Sequence, residues 1–233
     1  MSKIFIMGSG SFGTALAILY SKDNDVILWG RAKEKLEVLK KSRENTHYLP
    51  GVTIPEKVLI SDDINLSKDC SFIIVAVPSV VVKESVTKLK GIIKDDAIIV
   101  LVSKGLNQVT YEPLYKDIEE VLPKNKVVVL SGPSHAEEVS RGCLTSVVAA
   151  SSDSSAAKKV QELSQNTNLR IYTSTDPLGV SLAGAFKNII ALAAGICDGL
   201  KTGDNTKAAL MTRGLAEVDR LAVCLGAKFE TVH

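Results

Sequence analysis

The 233-residue chain has few cysteines and almost no net charge. Its four cysteines (Cys70, Cys143, Cys197 and Cys224) lack C-x-x-C pairing and nearby histidines, so we expect neither a metal site nor a disulfide framework. We interpret them as reduced, buried thiols of a cytoplasmic protein. The net charge of +2, without long runs of one sign, argues against nucleic acid or an anionic membrane as the main partner.

Targeting segments and long hydrophobic runs are also scarce. The chain starts directly with an apolar strand pattern, so we expect no secretory signal. One apolar stretch, 178–197, has the length of a membrane span, but Lys187 and Asn188 lie near its middle, where a bilayer would disfavour them. We therefore expect a buried core helix there and no membrane span.

The hydrophobic residues, 45% of the chain, occur in short runs that alternate with helical patterns. The predicted strands cover 4–7, 26–29, 72–77, 97–102, 127–130, 145–150 and 169–172. The predicted crossover helices cover 14–20, 32–43, 80–89, 111–122 and 154–165. This alternation predicts an α/β fold with a doubly wound, mostly parallel sheet of the Rossmann type.

The most informative feature is a glycine motif between the first strand and the first helix. Gly8, Gly10 and Gly13 follow the pattern G-x-G-x-x-G, with Ser11 and Phe12 between the last two. In a βαβ unit these glycines permit a tight turn, backbone approach to a pyrophosphate, and close packing of helix on strand. The motif predicts a dinucleotide-binding turn; the alternative is a turn with a structural role only.

The end of the second predicted strand indicates which dinucleotide is accepted. NAD-binding units usually place a carboxylate there for the ribose 2′-OH, whereas this chain has Trp29-Gly30-Arg31. Arg31 can pair with a 2′-phosphate and stack on the adenine ring. We therefore expect NADP or NAD as the cofactor; the alternative is that Arg31 only solvates the strand end.

The loops after the strands are the expected place for a ligand. Three of them, 77–79, 103–105 and 131–134, carry polar or turn-forming residues. Lys104 in the second loop can hold a substrate oxygen or phosphate, or it is an ordinary surface lysine. The third loop also mimics a nucleophile elbow, but the only histidine beyond the adjacent one is His233, which disfavours a hydrolase.

Lys187 lies in a predicted helix that is otherwise apolar on nearly every face. Apolar surroundings disfavour the ammonium form and favour a role in proton transfer. The alternative is a lysine whose stem lies along apolar surface while its head group reaches water or an aspartate. The spacing of the residues leaves both interpretations open.

A change of pattern at position 176 suggests a domain boundary. Thr175-Asp176-Pro177 offers a helix N-cap with proline at the first helical position, and two predicted helices follow at 177–199 and 205–225. We expect a dinucleotide-binding Rossmann domain at 1–175. Residues 176–233 then form the N-terminal part of an all-helical substrate domain.

Several short segments of the chain match one family in combination and in order. They are 8–15, 29–31, 45–51, 76–79, 103–106, 131–134, 184–188, 205–210 and 212–217. These segments resemble the bacterial NAD(P)-dependent glycerol-3-phosphate dehydrogenases. The resemblance implies reduction of dihydroxyacetone phosphate to sn-glycerol 3-phosphate, by hydride from the nicotinamide, for phospholipid synthesis.

The resemblance also implies roles for individual residues. It implies that Ser11, Phe12, Arg31 and Ala136 contact the nucleotide. The expected partner is a small phosphorylated triose or glycerol substrate, and a homodimer stays open.

On the substrate side, the resemblance implies that Gly132 and Ser134 contact the substrate and that Lys104 contacts both substrate and cofactor. Lys187 is then the proton donor or acceptor. Lys104 would hold the substrate and stabilise negative charge as it forms.

One departure from the family concerns the C-terminal part. Family members continue beyond position 233 into helices with an Asp and a Ser-Arg-Asn segment, whose Arg grips the substrate phosphate. For residues 1–233 alone we therefore expect nucleotide binding to survive and turnover to be poor. Two alternatives stay open: a related dehydrogenase that acts on a sugar acid or keto acid, and a nucleotide-binding fragment with little activity.

Overall fold

The computed structural model describes residues 1–231, and most of its strands belong to one large sheet. The strands in chain order are Lys3–Met7 (β1), Asp25–Trp29 (β2), Glu44–Asn45 (β3), Leu49–Thr53 (β4), Leu59–Ser61 (β5), Phe72–Val75 (β6), Ile98–Leu101 (β7), Val127–Ser131 (β8), Thr145–Ala150 (β9) and Leu169–Ser174 (β10). The large sheet has the order β10-β9-β8-β7-β6-β1-β2-β5, and β3 pairs with β4 outside it. All neighbours in the large sheet are parallel except β8 and β9. The predicted mostly parallel, doubly wound sheet is confirmed.

Helices cover both faces of this sheet. In chain order they are Ser11–Tyr20 (α1), Lys33–Ser42 (α2), Val82–Thr87 (α3), Leu114–Val121 (α4), Ala136–Ser140 (α5), Ser154–Glu162 (α6), Pro177–Gly199 (α7) and Asp204–Cys224 (α8). Along β1, Ile4 and Ile6 belong to one apolar cluster, whereas Phe5 and Met7 belong to the other. Because strand side chains alternate between faces, this division shows two cores, one on each side of the sheet.

Two features of the sheet were absent from the sequence prediction. The edge strand β5 has only three residues, which is too short for a periodicity argument. The β3–β4 hairpin, Glu44–Thr53, contains a proline and a glycine and has few apolar residues, so its sequence resembles a loop. β5 pairs with β2 and contacts α2, and the hairpin contacts α1, α2 and α5.

Helix α7 is less buried than the sequence led us to expect. Among residues 1–231 it is the one helix that is long and apolar enough to cross a bilayer, by length and composition alone, and 22% of its most apolar window is buried. Ile189 and Leu192 are 62% and 68% exposed. The expectation of a buried core helix is therefore wrong for much of α7, because it packs on β8, β9 and α8 along only part of its circumference.

The prediction that the four cysteines are buried is correct for two of them. Cys70 and Cys197 are buried, whereas Cys143 and Cys224 are exposed, and all are free thiols. Cys143 lies in the loop between α5 and β9, and Cys224 ends α8, so neither belongs to a packed element face. Burial of a cysteine depends on its place in the fold, which composition does not provide.

The chain passes from sheet to helices at Asp176, which is the N-cap of α7. Its buried carboxylate accepts hydrogen bonds from the Gly179 N–H at 2.9 Å, the Lys228 N–H at 2.8 Å and the Thr231 hydroxyl at 2.7 Å. Burial raises the pKa of this carboxyl, but these hydrogen bonds outweigh it and leave the pKa below its ordinary value. Asp176 thus connects the start of α7 to the end of the described chain.

The proposed domain boundary between 175 and 176 stays a prediction. Positions 232 and 233 of the predicted second domain lie outside the described residues. The same is true of His233, on which a hydrolase would have depended.

Replacing Asp176 with alanine should destabilise the protein by about 2 kcal/mol at pH 7, because a helix cap and a tertiary anchor are lost together. Because the pKa of Asp176 is lower in the folded state, its carboxylate stabilises the folded protein at pH values above the unfolded-state pKa. This stabilisation is lost as the pH falls through the folded-state pKa. Urea unfolding of Asp176→Ala and the parent at pH 7 and pH 3 measures this. Equal differences at both pH values would contradict the account.

Asp153→Ala is the matched control for this prediction. Asp153 caps α6 by accepting hydrogen bonds from the Ser155 and Ala156 N–H groups. Among residues 1–231, its one partner distant in sequence is Lys126, with which it forms a salt bridge. We expect a smaller loss of stability from this variant than from Asp176→Ala.

Candidate active site

The cleft that can hold a ligand lies where the winding of the sheet reverses. From β1, the chain builds β2 and β5 on one side and β6, β7 and β8 on the other. These strands are parallel, so the loops after β1, β6, β7 and β8 meet at one edge. In open α/β sheets ligands bind outside the carboxyl ends of the strands at this reversal.

The three motif glycines have three different roles in the loop after β1. Gly8 has φ +124°, and a Cβ there would clash with the carbonyl oxygen of Ala76. A Cβ at Gly13 would clash with the carbonyl oxygen of Gly8, so helix α1 packs directly on the turn. At Gly10 a Cβ would meet nothing within 4 Å. The first and third glycines are therefore required by packing, and the second faces open space.

This loop fits the pyrophosphate of a dinucleotide. Gly10 is the N-cap of α1, and no side chain caps the helix. The first N–H groups of a helix have no partner within the helix, and together with the helix dipole they favour an anion. Ser11 and Phe12, the first two residues of α1, are partly exposed at this end.

Arg31 and Ala136 lie on elements that adjoin the glycine loop. Gly30, directly before Arg31, is so close to the loop that a Cβ there would lie 2.6 Å from the Ser9 hydroxyl. Arg31 itself is exposed at the end of β2. Ala136 is buried at the start of α5, which packs against α1. Arg31 thus directly follows a residue that approaches the glycine loop, and Ala136 lies on a helix that packs against α1.

Lys104 lies in the loop after β7, at the same edge of the sheet as the glycine loop. Its amine donates to the carbonyl oxygen of Gly132 at 3.1 Å and to the Ser134 hydroxyl at 3.4 Å. Burial, and to a smaller extent the positive charge of Lys187, lowers the pKa of Lys104 to about 8. The Lys104 amine therefore links the loops after β7 and β8, and it changes its charge within about one pH unit of neutrality.

Lys187 reaches the same place from helix α7. Together with Gly132 and Pro133 it lines a cavity of about 240 Å³ between α7, α8 and the end of β8. It is half-buried, and among residues 1–231 it forms no salt bridge. The sequence suggested an aspartate as one partner that could solvate this amine. The described chain instead places Lys187 at the rim of the cleft, within electrostatic reach of Lys104.

Contact between α7 and the sheet depends on Gly184, a residue to which the sequence analysis gave no individual role. Gly184 lies one helical turn before Lys187, and a Cβ there would clash with the Ser131 hydroxyl at the end of β8. Residues three apart share a helix face, so this contact directs Lys187 toward the same edge of the sheet. The sequence signal was a Gly-Ala pair in an apolar helix, which indicates close approach without naming the partner.

The predicted residues form two groups at one edge of the sheet. The nucleotide group is the glycine loop with Arg31 and Ala136, and the lysine group is Lys104, Gly132, Ser134 and Lys187. The glycine loop and Arg31 follow β1 and β2, and the loop residues of the lysine group follow β7 and β8, so strand β6 lies between them; β1 and β8 are three strand spacings apart, about 14 Å.

The fold and this cleft define a Rossmann-type dinucleotide-binding protein. Two family models match the chain: the N-terminus of NAD-dependent glycerol-3-phosphate dehydrogenase over residues 3–157, and the C-terminus of the same enzyme over residues 176–233. The chain belongs to the NAD-dependent glycerol-3-phosphate dehydrogenase family, a family of oxidoreductases. Its cofactor is accordingly NAD or NADP.

Relatives and solved structures agree with this assignment. The chain is 48% identical over 233 residues to a glycerol-3-phosphate dehydrogenase [NAD(P)+] of Clostridium perfringens, covering 99% of this chain and 70% of the relative. It is 49% identical over 235 residues to that of Chlorobium phaeobacteroides, with the same coverage. The crystal structure of glycerol-3-phosphate dehydrogenase from Coxiella burnetii has a TM-score of 0.92 at 37% identity, covering 99% of this chain and 71% of that one.

Substitution of Gly10 and of Gly13 by alanine should separate binding from folding. Gly10→Ala should leave the thermal unfolding midpoint nearly unchanged, since the position is open and an N-cap tolerates the change at a small cost. It should weaken NADPH binding by at least about tenfold, because the methyl group occupies the anion approach. Fluorescence titration and thermal melts measure both quantities.

Gly13→Ala is the matched packing variant. Its methyl group would clash with backbone, so we expect a lower unfolding midpoint and weak NADPH binding together. If Gly10→Ala bound NADPH as tightly as the parent, the loop would not be the pyrophosphate site.

Proposed function

We propose that this site interconverts dihydroxyacetone phosphate and sn-glycerol 3-phosphate with NAD(P)H, as a step toward glycerophospholipids. The observation that supports the proposal is the pair of lysines, Lys104 and Lys187, at one end of a cleft whose other end is a dinucleotide turn. Two positive charges in a half-buried site favour an anionic substrate. A phosphorylated ketose of three carbons supplies both the anion and a carbonyl oxygen.

The residues that would hold the cofactor are those around the first turn of α1. The N–H groups of Ser11 and Phe12 face the pyrophosphate in this proposal, and Ala136 lines the approach. Arg31 pairs with a 2′-phosphate, which favours NADP over NAD. When bound, the reduced nicotinamide supplies the hydride.

Lys104 binds the substrate and balances its charge. Its ammonium group already donates to Gly132 and Ser134, so the direction of the side chain is fixed before substrate arrives. Ser134 and Gly132 lie beside it and offer a hydroxyl and a backbone for the substrate oxygens. A fixed cation of this kind stabilises negative charge as it develops on the carbonyl oxygen.

Lys187 transfers the proton. Reduction of a ketone leaves an alkoxide that must be protonated, and the reverse reaction requires a base for the hydroxyl proton. The amine of Lys187 lines the cavity next to Gly132 and pairs with no carboxylate among residues 1–231.

The remaining assignments stay proposals at this point. We propose the division into a dinucleotide domain at 1–175 and a helical substrate domain from 176, a cytoplasmic location, and no role for nucleic acid as a partner. A homodimer stays open.

Substitution of Lys187 by methionine tests the proposed reaction. NADPH should bind with unchanged affinity, while its oxidation on addition of dihydroxyacetone phosphate should slow by at least about 100-fold. We suggest a single-turnover assay with enzyme in excess, because we expect slow steady-state turnover from residues 1–233 alone. Fluorescence at the start of each trace reports NADPH binding in the same sample.

Lys158→Met, on the exposed side of α6, is the matched control and should react like the parent. An undiminished rate in Lys187→Met would contradict the proton-transfer role. Binding of NADPH without oxidation in the parent would identify a nucleotide-binding fragment, and oxidation by a keto acid alone would identify the related dehydrogenase.

The pKa of Lys104, about 8, predicts a pH dependence of substrate capture. Below that value the amine is charged and holds the phosphorylated substrate; as the pH rises through it, the charge is lost. The kcat/KM for dihydroxyacetone phosphate should therefore fall by about tenfold per pH unit above pH 8. Initial rates from pH 6.5 to 9.5 measure this.

Lys104→Arg keeps its charge throughout this range, so its profile should lack the alkaline fall even though its overall rate is lower. The same alkaline fall in Lys104→Arg would show that another group titrates.

A further inference from the structure

The β3–β4 hairpin lies outside the main sheet and has no role in the site described so far. Its first strand carries Asn45, a buried residue that is 7% exposed. The Asn45 amide nitrogen donates to the Ser9 carbonyl oxygen at 3.0 Å and to the Thr14 hydroxyl at 2.8 Å. One buried amide therefore bridges the glycine loop and the first turns of α1.

The bond to Ser9 fixes more than the position of one oxygen. The peptide unit between Ser9 and Gly10 is planar and trans, so its carbonyl and its N–H point in opposite directions. Asn45 holds the carbonyl on the hairpin side, and the Gly10 N–H is consequently turned away from the hairpin. The hairpin thus sets the orientation of a backbone donor in the loop that fits the pyrophosphate.

The anchor itself is held by apolar packing. Leu49 and Ile54 of the hairpin region are fully buried in the same core cluster as Leu16 of α1. The Arg43 side chain donates to the Ile54 carbonyl oxygen and, at 3.0 Å, to that of Val58. A hairpin fixed in this way can hold the loop in one conformation before any cofactor binds.

We propose that Asn45 is a positioning residue for the dinucleotide, acting through the Ser9–Gly10 peptide without contacting the cofactor. The proposal concerns the cofactor that the family uses and is independent of the triose substrate. Loss of the Asn45 bond frees the peptide to rotate, and the loop must then be ordered when the cofactor binds.

Asn45→Ala tests this inference. We expect the dissociation constant for NADPH, measured by fluorescence titration without substrate, to rise by roughly tenfold, the value of one buried hydrogen bond. The KM for NADPH should rise in parallel, while kcat at saturating NADPH should stay within about twofold of the parent. Asn45→Ser, a milder truncation that retains a hydroxyl, should give a weaker effect in the same direction.

Two control variants separate positioning from stability. Thr14→Val removes the second Asn45 partner but keeps the bond to Ser9, so the NADPH dissociation constant should not change. Leu49→Val removes one buried carbon from the packing of the hairpin, so it should lower the unfolding midpoint and change that constant far less than Asn45→Ala does. Unchanged NADPH affinity in both Asn45 variants, or equal losses of affinity in Leu49→Val, would overturn the proposal.

Discussion

Three glycines at the carboxyl edge of the sheet set how closely its segments approach one another, and the geometry of the site follows from them. Helix α1 packs against its own turn at Gly13, and that turn packs against the loop after β6 at Gly8; at both positions a Cβ would clash with a backbone carbonyl oxygen, so glycine is required. At Gly184, helix α7 packs against the end of β8, where a Cβ would clash with the Ser131 hydroxyl.

The electrostatics of the site follow from this packing. Lys104 and Lys187 come from elements far apart in sequence, and they meet because α7 approaches the end of β8 closely at Gly184. Holding two like charges together in a half-buried place costs free energy, which an anionic ligand recovers when it binds. The chain as a whole carries a net charge of only +2, so the positive potential is local.

Much of the fold could be predicted because its signals are local. Apolar runs gave most strands of the main sheet, and the cap at Asp176 gave the start of α7 at Pro177. Gly8 and Gly13 lie in packed places, as the packing roles in the motif imply, and Gly10 lies in open space.

Features that depend on a partner distant in sequence could not be predicted in this way. The burial of α7 was overestimated because the apolar pattern of a helix does not show which of its faces has a neighbour. The pKa of Lys104 is lowered mainly by burial and to a smaller extent by the positive charge of Lys187, and both causes arise only in the folded chain. The Asn45 bridge to Ser9 joins residues that are 36 positions apart and belongs to a hairpin whose sequence resembles a loop.

In the proposed mechanism one cleft presents the α1 amides to a dinucleotide and the Lys187 amine to the carbonyl that is reduced. The decisive measurement is a crystal structure of the protein with NADPH and dihydroxyacetone phosphate. We expect the pyrophosphate on the N–H groups of Gly10 to Gly13 and the Lys187 amine within ~3 Å of the substrate carbonyl oxygen. A pyrophosphate bound elsewhere, or a substrate carbonyl beyond the reach of Lys187, would contradict it.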